Sequence, residues 1–477
     1  MPLQIQHLQR LNGVPISHFT RTLTRSGRLV HSSSRQNVSI SSPAPVTAQI
    51  MASSAVSSQT PPKAVLARLP TATVLRSYLI GRMSSSPALL GLCLTVLRKM
   101  LESRSYLMSV ERNPVLAKLL RSTFYVQYCV GENKKEVQRN TDVVRQLLGY
   151  DGIMLEYALE MLEGGASKAP TAEETAREVG VWRQGMLDTI DMSKEGDFVG
   201  LKWSGLGREA LHLLKAQQDP TPEMLSAIHA ACDAAAAKNI ALLPGAEEEA
   251  TNAGLEKWNN MLQAKYNTNG RAIMYTTYQC YLKAIPGRLA ADLERAQKGG
   301  YTAGVKLVRG AYMASEPRNL IWDTKSDTDA SYDACTTALL KKQWNDLVKP
   351  SSPSAVFPDN VNIILATHNL PTLQNAQKIR QNQLLSSPPE SLPRLSYIQL
   401  LGMADEVSQQ LVQAPGKAAD TQARVIKCMT WGTTTQCLNF LLRRASENKE
   451  AALRVEDTRK AMGWELWRRA KGIFGLA

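Results

Sequence analysis

The stretch "AGVKLVRGAYM" (303–313) decides how this chain is read. It opens as a short apolar run of β type, interrupted by a lysine. Side chains alternate along a strand, so Lys306 and Val308 share one face while Leu307 and Arg309 share the other. A run that reads as a buried strand therefore carries two cations and finishes on Gly310. Either this is an ordinary salt-bridged strand end, or it is one wall of a site for an anionic or flat, electron-rich ligand.

Similar runs recur after Asp197: "FVGLKW" (198–203), "NIALLPG" (239–245), "AIMYTTYQ" (272–279), "NIILATHN" (362–369), "LSYIQLLG" (395–402) and "RVIKCMTWG" (424–432). Helix-like segments such as "MLSAIHAACDAAAAK" and "GRLAADLERAQKGG" separate them. Alternating β and α without hairpin signals predicts a parallel sheet with crossover helices. Strand after strand ends on a polar residue or glycine: Lys202, Gly245, Gln279, Arg309, His368, Gly402. That pattern is what a (β/α)8 barrel produces at its C-terminal face. Seven strands are recognisable, so one is missing or irregular. The competing fold, an open doubly wound sheet, rests on "GLGREA" (205–210), a G-x-G-x-x-A that is also common in plain βα turns. Residues 70–195 read as helical, with apolar residues at helical spacing in "MLEYALEMLEGG" and "TAEETAREVGVWRQGMLDTI" and a stop at Gly164-Gly165.

The net charge of +14 invites a nucleic-acid partner, but its placement argues against one. Residues 1–101 hold eleven Lys or Arg and no acid, the first acid being Glu102; the rest of the chain is nearly balanced, 45 basic against 42 acidic. The basic character belongs to the leader, and no nucleic-acid role is expected. That leader, "MPLQIQHLQRLNGVPISHFTRTLTRSGRLVHSSSRQ", is rich in Arg, Ser and Thr and lacks a continuous apolar core. It reads as a mitochondrial transit peptide, the alternative being a disordered basic tail without an address. A polar linker follows at 41–63. "PALLGLCLTVL" (87–97) falls short of the roughly 20 residues a membrane span needs. Seven scattered cysteines without a CxxC pair, and six histidines, give no disulfide framework and no metal site to expect.

Three clusters carry chemistry. "ATHN" (366–369) places Thr367, His368 and Asn369 at a strand end, either as ligand contacts or as a satisfied polar turn. Gln279 closes an apolar strand, and a buried amide needs partners, whether ligand or backbone. "FLLRRASEN" (440–448) sets Arg443 beside Arg444, with Glu447 about a turn further on. An arginine fork grips a carboxylate in a planar, bidentate way; the plain alternative is a solvated helix face with an intrahelical ion pair.

Taken in order and spacing, "GLKWSGLG", "TYQCYLK", "KLVRGAYM", "KSDTDASY", "ATHN", "QLLGMAD" and "FLLRRASEN" resemble the proline dehydrogenase family across roughly 198–450. The resemblance implies a distorted (β/α)8 TIM-type barrel that holds FAD in mitochondria and oxidises L-proline to Δ1-pyrroline-5-carboxylate. It further implies electron transfer to a membrane quinone and peripheral association with the inner membrane. The organisation expected is a transit peptide and linker (1–65), a helical region (66–195) and the barrel with C-terminal helices (196–477), in a divergent, fungal-like member. By the same resemblance, Lys306 lies near the flavin's reactive nitrogen, and Val308, Arg309, Gly310 and Ala311 line the cofactor, with Gly310 allowing close backbone approach. Gln279, Lys325, Thr367, His368 and Asn369 are further cofactor contacts. Arg443 and Arg444 match the pair for the substrate carboxylate, Lys202 and Glu447 match charged partners around them, and Tyr312 and Leu400 border the substrate.

Two positions depart from the family pattern. Gly245 stands where an Asp is usual, and Cys428 where a Tyr is usual. The departures imply a roomier pocket and slow or altered turnover of proline. Activity on another cyclic or secondary amino acid, or a flavin-binding relative with little catalysis, remain alternatives.

Overall fold

The computed structural model describes residues 64–158, 170–313, 315–414, 423–447 and 452–475, with 446–447 and 452–455 described by backbone alone. The transit-peptide reading, the linker to residue 63 and the Gly164-Gly165 stop lie outside the described residues.

Eight parallel strands form one sheet: β1 (Gly152–Tyr157), β2 (Phe198–Leu201), β3 (Ala241–Pro244), β4 (Thr276–Gln279), β5 (Ala303–Val308), β6 (Val361–Ala366), β7 (Arg394–Leu400) and β8 (Arg424–Trp431). Their order is β3-β2-β1-β8-β7-β6-β5-β4, so β3 and β4 are the ends that must meet for closure. They meet just before β4 begins: Leu242 N donates to Ile273 O at 2.6 Å and Tyr275 N donates to Leu242 O at 3.1 Å. The ring is a (β/α)8 barrel closed by one short bridge, which is its distortion.

The missing strand is β1, inside the region read as helical. "GIMLEY" pairs with both β2 and β8. Ile153 and Leu155 face the surrounding helices while Met154 faces the barrel core, so both faces are apolar and the two-residue period vanishes from the sequence. The barrel therefore begins near residue 152, not 196. Among the described residues the rest of the N-terminal region is built from helices, and helix Ala172–Met192 starts on a capping box made by Thr171 and Glu174.

Strand alternation sets the site. On β5, Val305 and Leu307 are buried against the helices, and Lys306 turns inward. Met154, Phe198, Leu243, Tyr275, Ile364 and Ile426 pack the barrel interior as an apolar plug. Toward the C-terminal mouth the inward positions become Glu156, Lys202, Lys306 and Cys428. The doubly wound alternative fails locally as well. A Cβ on Gly207 would meet Glu178 Oε2 at 2.3 Å, and that carboxylate accepts from Arg208 N at 2.9 Å. A carboxylate already caps the helix start where a phosphate would have to sit.

Candidate active site

Lys306 is the centre of the mouth. It is 7% exposed, and among the described residues its one side-chain hydrogen bond runs from Nζ to Pro244 O at 3.3 Å. Burial lowers its pKa, opposed by Glu156 and assisted by Lys202 and Arg444, so these charges share one electrostatic neighbourhood. Burial likewise raises the Cys428 thiol, with Glu156 pushing the same way.

Lys202, at the end of β2, is buried along its stem and donates through Nζ to Tyr312 Oη at 2.9 Å. Tyr312 in turn donates to Ala246 O at 3.1 Å. The Lys202 stem lies over Gly245: a Cβ there would stand 3.2 Å from Lys202 Cε and Cγ. The room expected at Gly245 is thus taken by the lysine, a correction that follows from the flexible stem folding over a residue with no side chain.

Arg443 and Arg444 lie on helix Thr434–Glu447, both half-buried, and the Arg444 guanidinium sits 5.2 Å from the centroid of Phe440. Arg444 acts electrostatically on both Lys306 and Cys428. Glu447 ends this helix, and its side chain lies outside the described residues. Leu400, 46% exposed at the end of β7, presents an apolar surface there, and its N–H donates to His368 Nε2 at 3.2 Å.

Several residues expected at the cofactor hold the scaffold that would present it. Arg309 points to the opposite side of the strand from Lys306, with Nε to Asp329 at 2.7 Å, Nη1 to Thr367 Oγ1 at 2.6 Å and Nη2 to Thr372 Oγ1 at 2.9 Å. Its guanidinium also stacks 4.5 Å above the Tyr332 ring. Lys325, exposed at the start of helix Lys325–Lys341, pairs with the same Asp329. Asn369 caps helix Leu370–Leu384 by accepting from Thr372 N. Gln279 is 1% exposed and stitches two loops, donating to Glu247 O at 2.7 Å and accepting from Ala311 N at 3.3 Å. Gly310 has a physical reason other than close approach to a ligand. Its φ is +151°, and a Cβ would fall 1.8 Å from Tyr281 Cδ1. The close approach is to the Tyr281 ring.

The sequence reading missed Glu156. It pairs in register with Gly200 of β2 and Thr430 of β8, and the bare Gly200 leaves space for its stem. Recognising β1 as a strand would have placed it, because its ladder position turns it to the mouth with Lys306.

A flavin fits this mouth on two observations. A buried ammonium carries three donors and Lys306 uses one weakly, so donors remain for an acceptor above the strand end. Val308 and Ala311 are only half-buried beside it, leaving a surface for a flat ring.

Comparison with known proteins agrees with this architecture. Residues 146–457 match the proline dehydrogenase family. A probable mitochondrial proline dehydrogenase of Schizosaccharomyces pombe is 31% identical over 48% of this chain and 46% of its own length. Hydroxyproline dehydrogenase of Mus musculus is 28% identical over 72% of this chain and 71% of its own. The chain thus spans less than half of the fission-yeast relative that it matches. Among solved structures, proline utilization A of Bdellovibrio bacteriovorus superposes with a TM-score of 0.55 at 15% identity, covering 77% of this chain and 38% of the other, which is a likeness of fold. Family match, closed parallel barrel and basic mouth converge: the chain belongs to the proline dehydrogenase family.

Proposed function

We propose that the barrel mouth binds FAD and oxidises L-proline to Δ1-pyrroline-5-carboxylate, as a step of proline catabolism in mitochondria. The observation that carries this reading is the buried Lys306 at the centre of a mouth whose electrostatic neighbours are Lys202, Arg444 and Glu156. FAD supplies the acceptor for the hydride that leaves the ring carbon next to nitrogen, on the side away from the carboxylate. Arg443 and Arg444 hold the carboxylate, which fixes the far end of the ring at the reacting position. Cations at the mouth disfavour a charged substrate amine, so nitrogen arrives with the lone pair that expels hydride. Leu400 packs the ring methylenes, Tyr312 borders them, and the Lys306 ammonium stabilises negative charge arriving opposite. Lys202 and Glu447 set the charge balance around the pair.

Val308, Arg309, Gly310, Ala311, Gln279, Lys325, Thr367, His368 and Asn369 form or brace the proposed FAD cradle. A membrane quinone is the proposed final acceptor. The acid-free leader and the mitochondrial names of the relatives support import, with the matrix side of the inner membrane as the site of action. Residues 1–65 are proposed as the removable leader and linker.

A second reading is favoured by Cys428, a small group facing the barrel interior. A ring hydroxyl is accommodated more readily beside a thiol than beside a phenol, which suits a hydroxyproline, the substrate class in the mouse relative's name. Anaerobic mixing of the yellow protein with each amino acid decides. Bleaching by proline supports the first reading and bleaching by hydroxyproline alone the second. A flavin that stays oxidised with both removes the two together.

A further inference from the structure

Lys427 is a fully buried cation that the proposed chemistry does not use, 0% exposed in the middle of β8. Its chain neighbours Ile426 and Cys428 face the barrel interior, so alternation turns Lys427 outward, beneath the start of helix Asp405–Val412. There Nζ donates to Asp405 Oδ1 at 2.7 Å, Ser408 Oγ at 2.9 Å and Met403 O at 3.3 Å. An ammonium has three hydrogens, and these three acceptors take all of them. Burial opposes its charge, but Asp405 more than offsets this and the pKa is raised, so the lysine is a cation. An apolar side chain would fill the same place without that desolvation. A cation at a helix N-terminus is also opposed by the helix dipole. The charge has to be explained by what it holds.

It holds a turn. Where β7 ends, Met403 N donates to Leu400 O at 3.2 Å and Leu401 N donates to Cys428 O at 2.8 Å. Ala404 follows at φ +48°, a left-handed conformation uncommon for a residue with a side chain, and among the described residues no side chain caps the helix there. A backbone so placed keeps one shape only when its surroundings over-determine it. Lys427 grips the turn at Met403 and the helix at Asp405 and Ser408. Ser408 donates onward to Gln399 Oε1 at 3.3 Å, and Gln399 Nε2 donates to Thr367 O at 3.2 Å, so the same network reaches the end of β6. The residue that opens the turn is Leu400. Ile398, two positions earlier, packs the barrel interior, so Leu400 points into the mouth, 46% exposed.

We propose that Lys427 is a positioning residue: by holding Met403 O, Asp405 and Ser408 together it fixes the 400–404 turn, and so sets how closely Leu400 packs against the ring of the bound amino acid. The role of Leu400 rests on the reading of the mouth given under the proposed function; the grip on the turn does not.

The test is Lys427→Met, which keeps the stem and removes the ammonium, read by hydrogen exchange and by kinetics. Native-state exchange followed by mass spectrometry should show 400–404 exchanging at least about tenfold faster, with helix Pro222–Ala237 unaltered. Ring packing is made equally in ground and transition states, so KM for L-proline should rise about tenfold, with kcat within about twofold and flavin content unaltered. In a Leu400→Ala background the same substitution should leave KM unmoved, because its effect passes through Leu400. Should Lys427→Met not fold because Asp405 is left unpaired, Lys427→Met/Asp405→Asn removes both charges and carries the same expectations. Unaltered exchange at 400–404 overturns the proposal. So does faster exchange with an unaltered KM, or a KM effect of equal size in the Leu400→Ala background. A flavin that L-proline leaves oxidised in the unaltered chain sinks the functional reading instead, and the exchange result alone then decides whether Lys427 holds the turn.

Discussion

Lys202 and Tyr312, 110 residues apart in sequence, meet across the barrel mouth with Nζ 2.9 Å from the phenolic oxygen. The hydroxyl hydrogen of Tyr312 is committed to Ala246 O at 3.1 Å, so the lysine is the donor in this pair. One contact therefore ties the end of β2, the loop after β3 and the loop after β5. With no side chain at Gly245, the lysine stem folds across that position to reach the tyrosine. The pair fixes one wall of the proposed substrate pocket.

Lys202→Met keeps the apolar stem and removes the ammonium. Tyr312 then loses its donor while Gly245 stays covered. The expected result is a fall of roughly tenfold to a hundredfold in kcat/KM, the scale on which misplaced positioning groups act, with flavin content unaltered. Steady-state kinetics beside the flavin spectrum checks this. Unaltered kcat/KM would mean that the pair braces nothing the reaction needs.

Gly310→Ala should fail by folding and not by chemistry. The added Cβ would meet the Tyr281 ring near its base, and the backbone stands at a φ that side chains rarely adopt. A cost of about 3 kcal/mol or more is expected from overlap and strain together. Thermal unfolding measures it; a variant as stable as the original would show that Tyr281 moves aside freely.

Much of this was legible in the sequence, and the gaps have identifiable causes. Lys306 and Arg309 were assigned to opposite faces by strand alternation alone, and they point to the barrel mouth and to Asp329 respectively. Polar strand ends indicated which face of the barrel carries the site. β1 was hidden because Met154 faces the plug while Ile153 and Leu155 face helices, which erases the alternation that betrays a strand. Losing β1 also lost Glu156. Arg309, Gln279 and Asn369 show another limit: each has a polar side chain at a strand end, but their partners Asp329, Glu247 and Thr372 become visible only when the chain is folded.

Stability should depend on pH through Glu256. Burial raises its carboxyl to about 7, Asp292 and Glu249 push the same way, and Arg288 opposes them from 3.5 Å. A carboxyl whose folded pKa lies above its unfolded value stabilises the native state below the unfolded value. That contribution disappears as pH rises through about 7. The unfolding temperature should therefore fall between about pH 5 and pH 8, and Glu256→Gln should flatten this dependence, gaining at most about 3 kcal/mol over the original at the alkaline end. Parallel pH profiles for the two proteins would contradict the assignment.

On the reading proposed above, the mouth around Lys306 holds a flavin, and Arg443 and Arg444 hold the carboxylate of the amino acid it oxidises. Anaerobic stopped-flow reduction by L-proline, run on the original and on Arg444→Met, tests it most directly. Flavin bleaching is expected in the original. In Arg444→Met the flavin should be retained, with apparent proline affinity weakened about thirtyfold or more, the consequence of leaving a carboxylate without its paired charge. Bleaching of Arg444→Met at the original's rate and proline concentration would contradict it.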